Sequence, residues 1–279
     1  MRIRSYGARG SVPVSGKDYL KYGGDTTCVE ILTGSGETIV VDAGSGMRRL
    51  GDRLIAENRL QFHLLFTHFH WDHIIGFTVF KPNYLEATRT NIWHPRQIQG
   101  DIRATLKNLM SPPGFPIRYS RLNATHMFQQ HDMRSFGIAM TSVHTIAISH
   151  THPGLGYRFE ENGKSFVILT DNELGRQHPG GQPFEDYVTF AREADLMFHD
   201  AQYTRQEYPS KAGRGHSSVT DALDLALKAG VHRFGLFHHS PDRTDAALDA
   251  LVADCRARIA EAGSPMTCFA VGQDTDITL

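Results

Sequence analysis

The sequence predicts an α/β protein, and three observations carry that expectation. Apolar runs of strand length, at 38–41, 143–148 and 165–169, alternate with longer helical patterns, at 183–194, 218–229 and 242–262. Many of the strand-like runs end in histidine or aspartate. The passage from Leu64-Leu65-Phe66 to Ile74-Ile75-Gly76-Phe77 reads as a buried strand leading through a polar loop into a covered helix, which is where α/β layers hold ligands.

Bulk properties narrow the class further. No linker or low-complexity run divides the 279 residues, so one domain spanning 1–279 is expected. Apolar residues at 40% and charged residues at 21% suit a soluble globule with a substantial core. A net charge of −1 argues against a large nucleic-acid partner, whose binding would call for a strongly basic face. A small anionic substrate is expected instead, and a homodimer is allowed. Cys28, Cys255 and Cys268 have no C-x-x-C spacing, which points to free core thiols in a reducing cytoplasm. The first residues lack an apolar signal core and no run reaches membrane-spanning length, so no membrane association is expected. The sixteen histidines are the one compositional oddity.

Taken in order, residues 1–6 alternate as a strand and lead into the loop Gly7-Ala8-Arg9-Gly10-Ser11-Val12-Pro13. After a turn at Tyr22-Gly23-Gly24-Asp25, residues 27–32 and 38–41 pair around Gly34-Ser35-Gly36. Asp42-Ala43-Gly44-Ser45-Gly46 opens a helix to about residue 57, and without G-x-x-x-x-G-K-[ST] it is no phosphate loop. The stretch 80–128 is the hardest to read. A short strand is expected at 91–94, a helix at 101–110 and irregular backbone at Ser111-Pro112-Pro113-Gly114-Phe115-Pro116, because consecutive prolines remove donors and fix φ. An insert at about 81–130 is placed to cover an active site, with Phe115 as a substrate contact; a plain surface crossover fits equally well. Strands are expected at 136–140, 143–148, 165–169, 195–201 and 231–237, helices at 183–194 and 242–262, and a helix capped by Ser217 or Ser218 that runs to Ala229. The tail from 267 is expected to add one short strand.

The chemistry is concentrated in Thr67-His68-Phe69-His70-Trp71-Asp72-His73. His68 and His70, alternate residues of an extended segment, can point to one side, and Asp72 and His73 toward a second ion. A lone histidine before an apolar helix is usually structural, but H-x-H-x-D-H order rarely arises as solvated loop chemistry. Ser149-His150-Thr151-His152-Pro153 offers two histidines for one ligand position. Asp171, at the end of an apolar strand, is costly to desolvate unless it pairs or binds metal, so it is the natural bridging carboxylate.

This pattern resembles the metallo-β-lactamase superfamily of di-metal hydrolases, nearest to its ribonuclease Z and cyclic-phosphodiesterase branch, over nearly the whole chain. The resemblance implies an αββα four-layer sandwich with the metals at one edge. It selects His150 over His152, since the family's third metal histidine lies seven residues before the tyrosine of a Gly-Tyr pair, here Tyr157. It places His238 of His238-His239-Ser240 on the metal, leaving His239 beside it, and gives Asp42 a supporting place behind the histidine loop. One ion would then take His68, His70 and His150, the other Asp72, His73 and His238, with Asp171 shared and a bridging position left for water. The ions expected are two divalent cations, Zn²⁺ first, with Mn²⁺ or Fe as alternatives. Two such cations less two aspartates and one hydroxide leave about +1, which suits a phosphodiester. His199-Asp200-Ala201 resembles the family's H-E-A with Asp for Glu, and Gly215-His216-Ser217 is characteristic of the phosphodiesterase branch. His216 is the expected general acid and Asp200 its orienting carboxylate. In bacterial ribonuclease Z a tRNA-gripping arm fills the interval from His150 to Asp171, whereas twenty residues here leave room for one hairpin, which disfavours precursor-tRNA processing. With no cysteine near the metal positions, a β-lactamase in the strict sense is disfavoured. The expected activity is hydrolysis of a small phosphodiester such as a cyclic nucleotide. The alternatives are a thioester or lactone hydrolase and a non-catalytic metal scaffold.

Overall fold

Strands with two apolar faces build the centre of the molecule. In β3 (Thr38–Val41) all four residues are buried, with Ile39 and Val41 entering one core and Val40 another. The split recurs in β10 (Lys164–Leu169), where Phe166 and Ile168 join the first of these cores and Val167 and Leu169 a third. Such strands must be covered twice, so two sheets pack face to face and helices cover each outer side. The computed structural model, which describes residues 1–95, 101–131 and 134–279, has this αββα arrangement.

The first sheet runs, in spatial order, β14 (Asp276–Thr278), β1 (Arg2–Gly7), β2 (Cys28–Leu32), β3, β4 (Gln61–Leu65), β5 (Arg89–Pro95) and β6 (Thr125–His131). It is antiparallel from β14 to β3 and parallel from β3 to β6. The second runs β13 (Thr267–Ala270), β12 (Arg233–Phe237), β11 (Leu196–Asp200), β10, β9 (Leu155–Glu161), β8 (Thr141–Ala147) and β7 (Ser135–Ile138). Here β13 to β10 are parallel and β10 to β7 antiparallel. Helices α1 (Met47–Ala56) and α3 (Ile102–Leu109) bury Leu50, Leu54 and Leu106 on the first sheet. Helices α4 (Phe184–Ala191), α6 (Val219–Ala229) and α7 (Asp245–Glu261) cover the second, and α5 (Tyr208–Lys211) is a single turn before α6. Ser218, not Ser217, caps α6 by accepting from Asp221 N, and Gly230 ends it in the left-handed conformation.

Three expectations need correction. The helix after the histidine loop is a single turn, α2 (Trp71–Ile74), continued as a 3-10 segment at Ile75–Val79. It stops early because the carbonyl of His73 accepts from Ala43 N at 2.7 Å instead of extending an α ladder, and Gly76 N donates back to Ala43 O at 2.8 Å. A Cβ on Gly76 would lie 1.9 Å from Gly44 O, so only glycine permits this backbone contact. The tail forms two strands in different sheets, β13 and β14, with the crossing at Gly272 to Thr275 where Thr275 N donates to Gly272 O. The stretch 81–130 gives the first sheet its strands β5 and β6, and Phe115 packs on that sheet's outer core. Residues 96–100 of it lie outside the described residues. The interval between His150 and Asp171 is the expected hairpin, β9 and β10, with a turn at Asn162-Gly163.

Candidate metal centre

The parallel strands of both sheets present their carboxyl ends at one edge, and the residues that follow them converge there. Asp42 follows β3, His68 and His70 follow β4, and Asp72 and His73 lie on α2. From the second sheet come His150 after β8, Asp171 after β10, Asp200 at the end of β11 and His238 after β12, while His216 precedes α6. Asp42, Asp171 and His238 take positive φ of 63°, 52° and 56°, a conformation that costs non-glycine residues energy and is kept where surrounding structure enforces it.

Among the described residues the convergence has three overlapping groups, of which Asp171, Asp200, His216 and His238 form one and the other two make its halves. His68, His70, His150 and Asp171 bring their donor atoms within 4.8 Å of one another, and Asp72, His73 and His238 do the same. Asp171 faces both halves. Its Oδ2 lies 3.7 Å from His68 Nε2 and 3.8 Å from His150 Nε2, while its Oδ1 lies 3.1 Å from His73 Nε2 and 3.2 Å from His238 Nε2. Asp72 Oδ2 is 3.4 Å from His73 Nε2 and 3.2 Å from His238 Nε2. Donors held ~2.1 Å from a tetrahedral ion stand about 3.4 Å apart, so these spacings fit cations that the side chains share. The buried His68 Nε2 and His73 Nε2 have no hydrogen-bond partner among the described residues, although carboxylate oxygens lie close. That combination of proximity without hydrogen-bond geometry is what a ligand-ready nitrogen looks like.

Outer contacts fix each ring. Asp42 accepts from Thr67 N and Thr67 Oγ1 at 2.8 Å and lies 2.7 Å from His73 Nδ1. His150 Nδ1 donates to Gly215 O at 2.9 Å, which turns Nε2 to the centre. His70 directs Nδ1 toward His150 Nε2 at 3.1 Å and holds the exposed His152 through Nε2 at 3.0 Å. His150 is therefore the member of the pair that enters the cluster, and His152 braces His70. His239 is buried away from the cluster, with Nε2 donating to Val271 O at 2.8 Å.

Asp200 serves two rings at once. Its Oδ2 lies 2.8 Å from His216 Nδ1 and 3.4 Å from His238 Nδ1, and its Oδ1 accepts from Gln202 N and Ser217 N, both at 3.1 Å. His216 stacks on His238 with ring centres 5.0 Å apart, and its Nε2 has no partner among the described residues. Four carboxylates, Asp42, Asp72, Asp171 and Asp200, and six imidazoles, His68, His70, His73, His150, His216 and His238, packed this way set strong fields. Burial depresses His68 well below the usual imidazole value and His150 to about 4, so both are neutral and able to ligate. Burial works against Asp171, yet His238, His73 and His68 hold it well below the carboxylate range; Asp72 behaves alike, and Asp200 stays near 2 beside His216. For His238 burial is outweighed by Asp171, Asp200 and Asp72, which push it up to about 10. Excess negative charge at the second half thus draws a positive partner, whether proton or cation.

Two supports were not evident from the sequence. Glu173 accepts from Gly213 N and Gly215 N at 2.7 Å, from Tyr208 Oη at 2.7 Å and from His178 Nε2 at 2.6 Å, and so shapes the loop that carries Gly215 and His216. Gln202 presents Oε1 3.0 Å from His238 Nδ1. Glu173 directly follows Asp171-Asn172, and a second acid so close to a buried strand end was the available signal.

This arrangement gathers, at one edge of the sandwich, histidine and aspartate clusters able to hold metal. A profile of the beta-lactamase superfamily domain matches residues 37–239, and the chain belongs to that superfamily as a metal-dependent hydrolase. A ribonuclease Z of Thermococcus sibiricus is 27% identical over 252 residues, covering 74% of this chain and 78% of the relative. Among solved structures, unliganded yeast PDE1 aligns with TM-score 0.73 at 15% identity, covering 100% of this chain and 99% of that one. The metallo-beta-lactamase fold protein YhfI from Bacillus subtilis aligns with TM-score 0.70 at 14% identity, covering 99% and 98%. No helix among the described residues is long and apolar enough to cross a membrane.

Proposed function

We propose that the chain is a phosphodiesterase with two divalent cations, acting on a small anionic diester such as a cyclic nucleotide. The observation that carries this reading is Asp171, one carboxylate with an oxygen turned to each half of the histidine cluster. His68, His70 and His150 would hold one ion and Asp72, His73 and His238 the other, with Asp171 between them. The donor set of imidazole and carboxylate suits Zn²⁺ first and also Mn²⁺ or Fe. When bound, such cations supply positive charge for the phosphoryl group and activate a water for attack.

The chain's own residues do the rest. Asp200 occupies His216 Nδ1, fixes the tautomer and leaves Nε2 to deliver a proton to the departing alkoxide. Asp42 and Gly215 hold His73 and His150 in orientation. The short β9 and β10 hairpin leaves no arm for gripping a large RNA in that interval, and a net charge of −1 gives no strong overall attraction to one. RNA cleavage is the second reading, favoured by relatives named ribonuclease Z. The metal-reconstituted protein should be assayed on bis-p-nitrophenyl phosphate, on 2′,3′- and 3′,5′-cyclic nucleotides, on a precursor tRNA and on a thioester. Turnover of the cyclic nucleotides supports the reading; turnover of the thioester alone, or of the tRNA alone, rejects it.

A further inference from the structure

Trp71 stands between His70 and Asp72, both members of the cluster. Its side chain is 47% exposed in a chain whose other tryptophan, Trp93, stacks on Phe136 and donates to His63 Nδ1 at 2.9 Å. No hydrogen bond, ring contact or ion pair engages the Trp71 indole among the described residues. As the first residue of α2 it is anchored by a short helix whose next two side chains, Asp72 and His73, are buried in the centre. The indole is therefore carried on helical backbone that its buried neighbours hold beside the centre.

We infer that Trp71 is a specificity-determining residue that stacks on the aromatic base of a nucleotide while the phosphodiester lies at the centre. This deepens the proposed function and rests on its placement of the phosphodiester. An exposed indole offers a large flat face with little rotamer entropy to lose, and every nucleobase offers a matching one. Stacking of this kind tolerates any base, so it selects nucleotides as a class without reading base identity. Base-free diesters would reach the same centre but lose the added affinity.

The test uses the full-length, metal-loaded protein with Trp71→Ala and Trp71→Phe. Against a 2′,3′-cyclic nucleotide, Trp71→Ala should raise KM about ten-fold with kcat within about two-fold, and Trp71→Phe should restore most of the loss. Glycerol 1,2-cyclic phosphate, which has no base, should show the same KM with all three proteins. Binding is read separately. AMP should quench the part of the tryptophan emission that Trp71→Phe abolishes, and ribose 5-phosphate should not. An unchanged KM for the nucleotide, an equal rise for the base-free diester, or no quenching by AMP would overturn the inference while leaving a phosphodiesterase in place. Base-dependent quenching without turnover of any diester would uphold the stacking and reject the hydrolytic reading.

Discussion

At the scale of single residues, the centre depends on a few atoms that cannot move. His216→Ala should leave metal content unchanged and cost about 10²- to 10⁴-fold in kcat on substrates with poor leaving groups, with p-nitrophenyl esters less affected. Metal analysis beside paired kinetics checks this, and an equal loss on both substrate types would reject the acid role. Gly215 is a second such point. Its φ is 88° and a Cβ there would lie 2.0 Å from His150 Nδ1, so Gly215→Ala should displace that ring and weaken metal affinity by about 10- to 100-fold in a chelator competition titration. The histidines and aspartates of this centre were legible because strand ends seldom carry such residues in such order. Of what holds them, Asp42 and Asp200 were expected and Glu173 was not. Glu173 acts through backbone N–H groups of a loop forty residues away, and no local pattern announces a partner that distant.

Among the elements, strands with apolar runs were readable to within a residue or two, as β10, β11 and β12 show. Where tertiary contact decides the backbone, local pattern failed. The helix after His73 is cut to one turn by the bonds to Ala43, and the crossing of the last two strands depends on where both sheet edges meet. Strand β6 carries mixed polar residues because it lies at a sheet edge, which hid it within the stretch from 80 to 128. The loop from Gly213 to His216 gives a test at this scale. Glu173→Gln keeps the shape but replaces a carboxylate that accepts four hydrogen bonds with an amide, and should cost about 1 to 3 kcal/mol in urea unfolding while lowering kcat. A lower midpoint with full activity would show that the loop does not depend on this anchor for its catalytic geometry.

For the molecule as a whole, stability should follow both cation supply and pH. Saturation a thousand-fold above Kd adds roughly 4 kcal/mol, so chelation should lower the melting temperature by on the order of ten degrees and added Zn²⁺ should restore it. Acid should act through two neutral imidazoles, the partly buried His126 and the buried His239. Burial lowers His126 to about 4 and His239 to about 3, both below the value of 6.5 expected in the unfolded chain. The unfolded chain therefore takes up protons first as pH falls below 6.5, and stability is full above that point and drains away toward pH 4. His126 alone should account for about 2 kcal/mol between pH 7 and pH 5, a difference that His126→Gln would erase from urea unfolding curves. The residues proposed to hold the cations come from two separate stretches of chain, 68–73 after strands of one sheet and 150–238 after strands of the other. A cation seated there acts as a clasp across the seam between the sheets. It can fasten only after both layers have formed and met, so metal uptake during refolding should lag behind secondary structure and report the moment the two layers close.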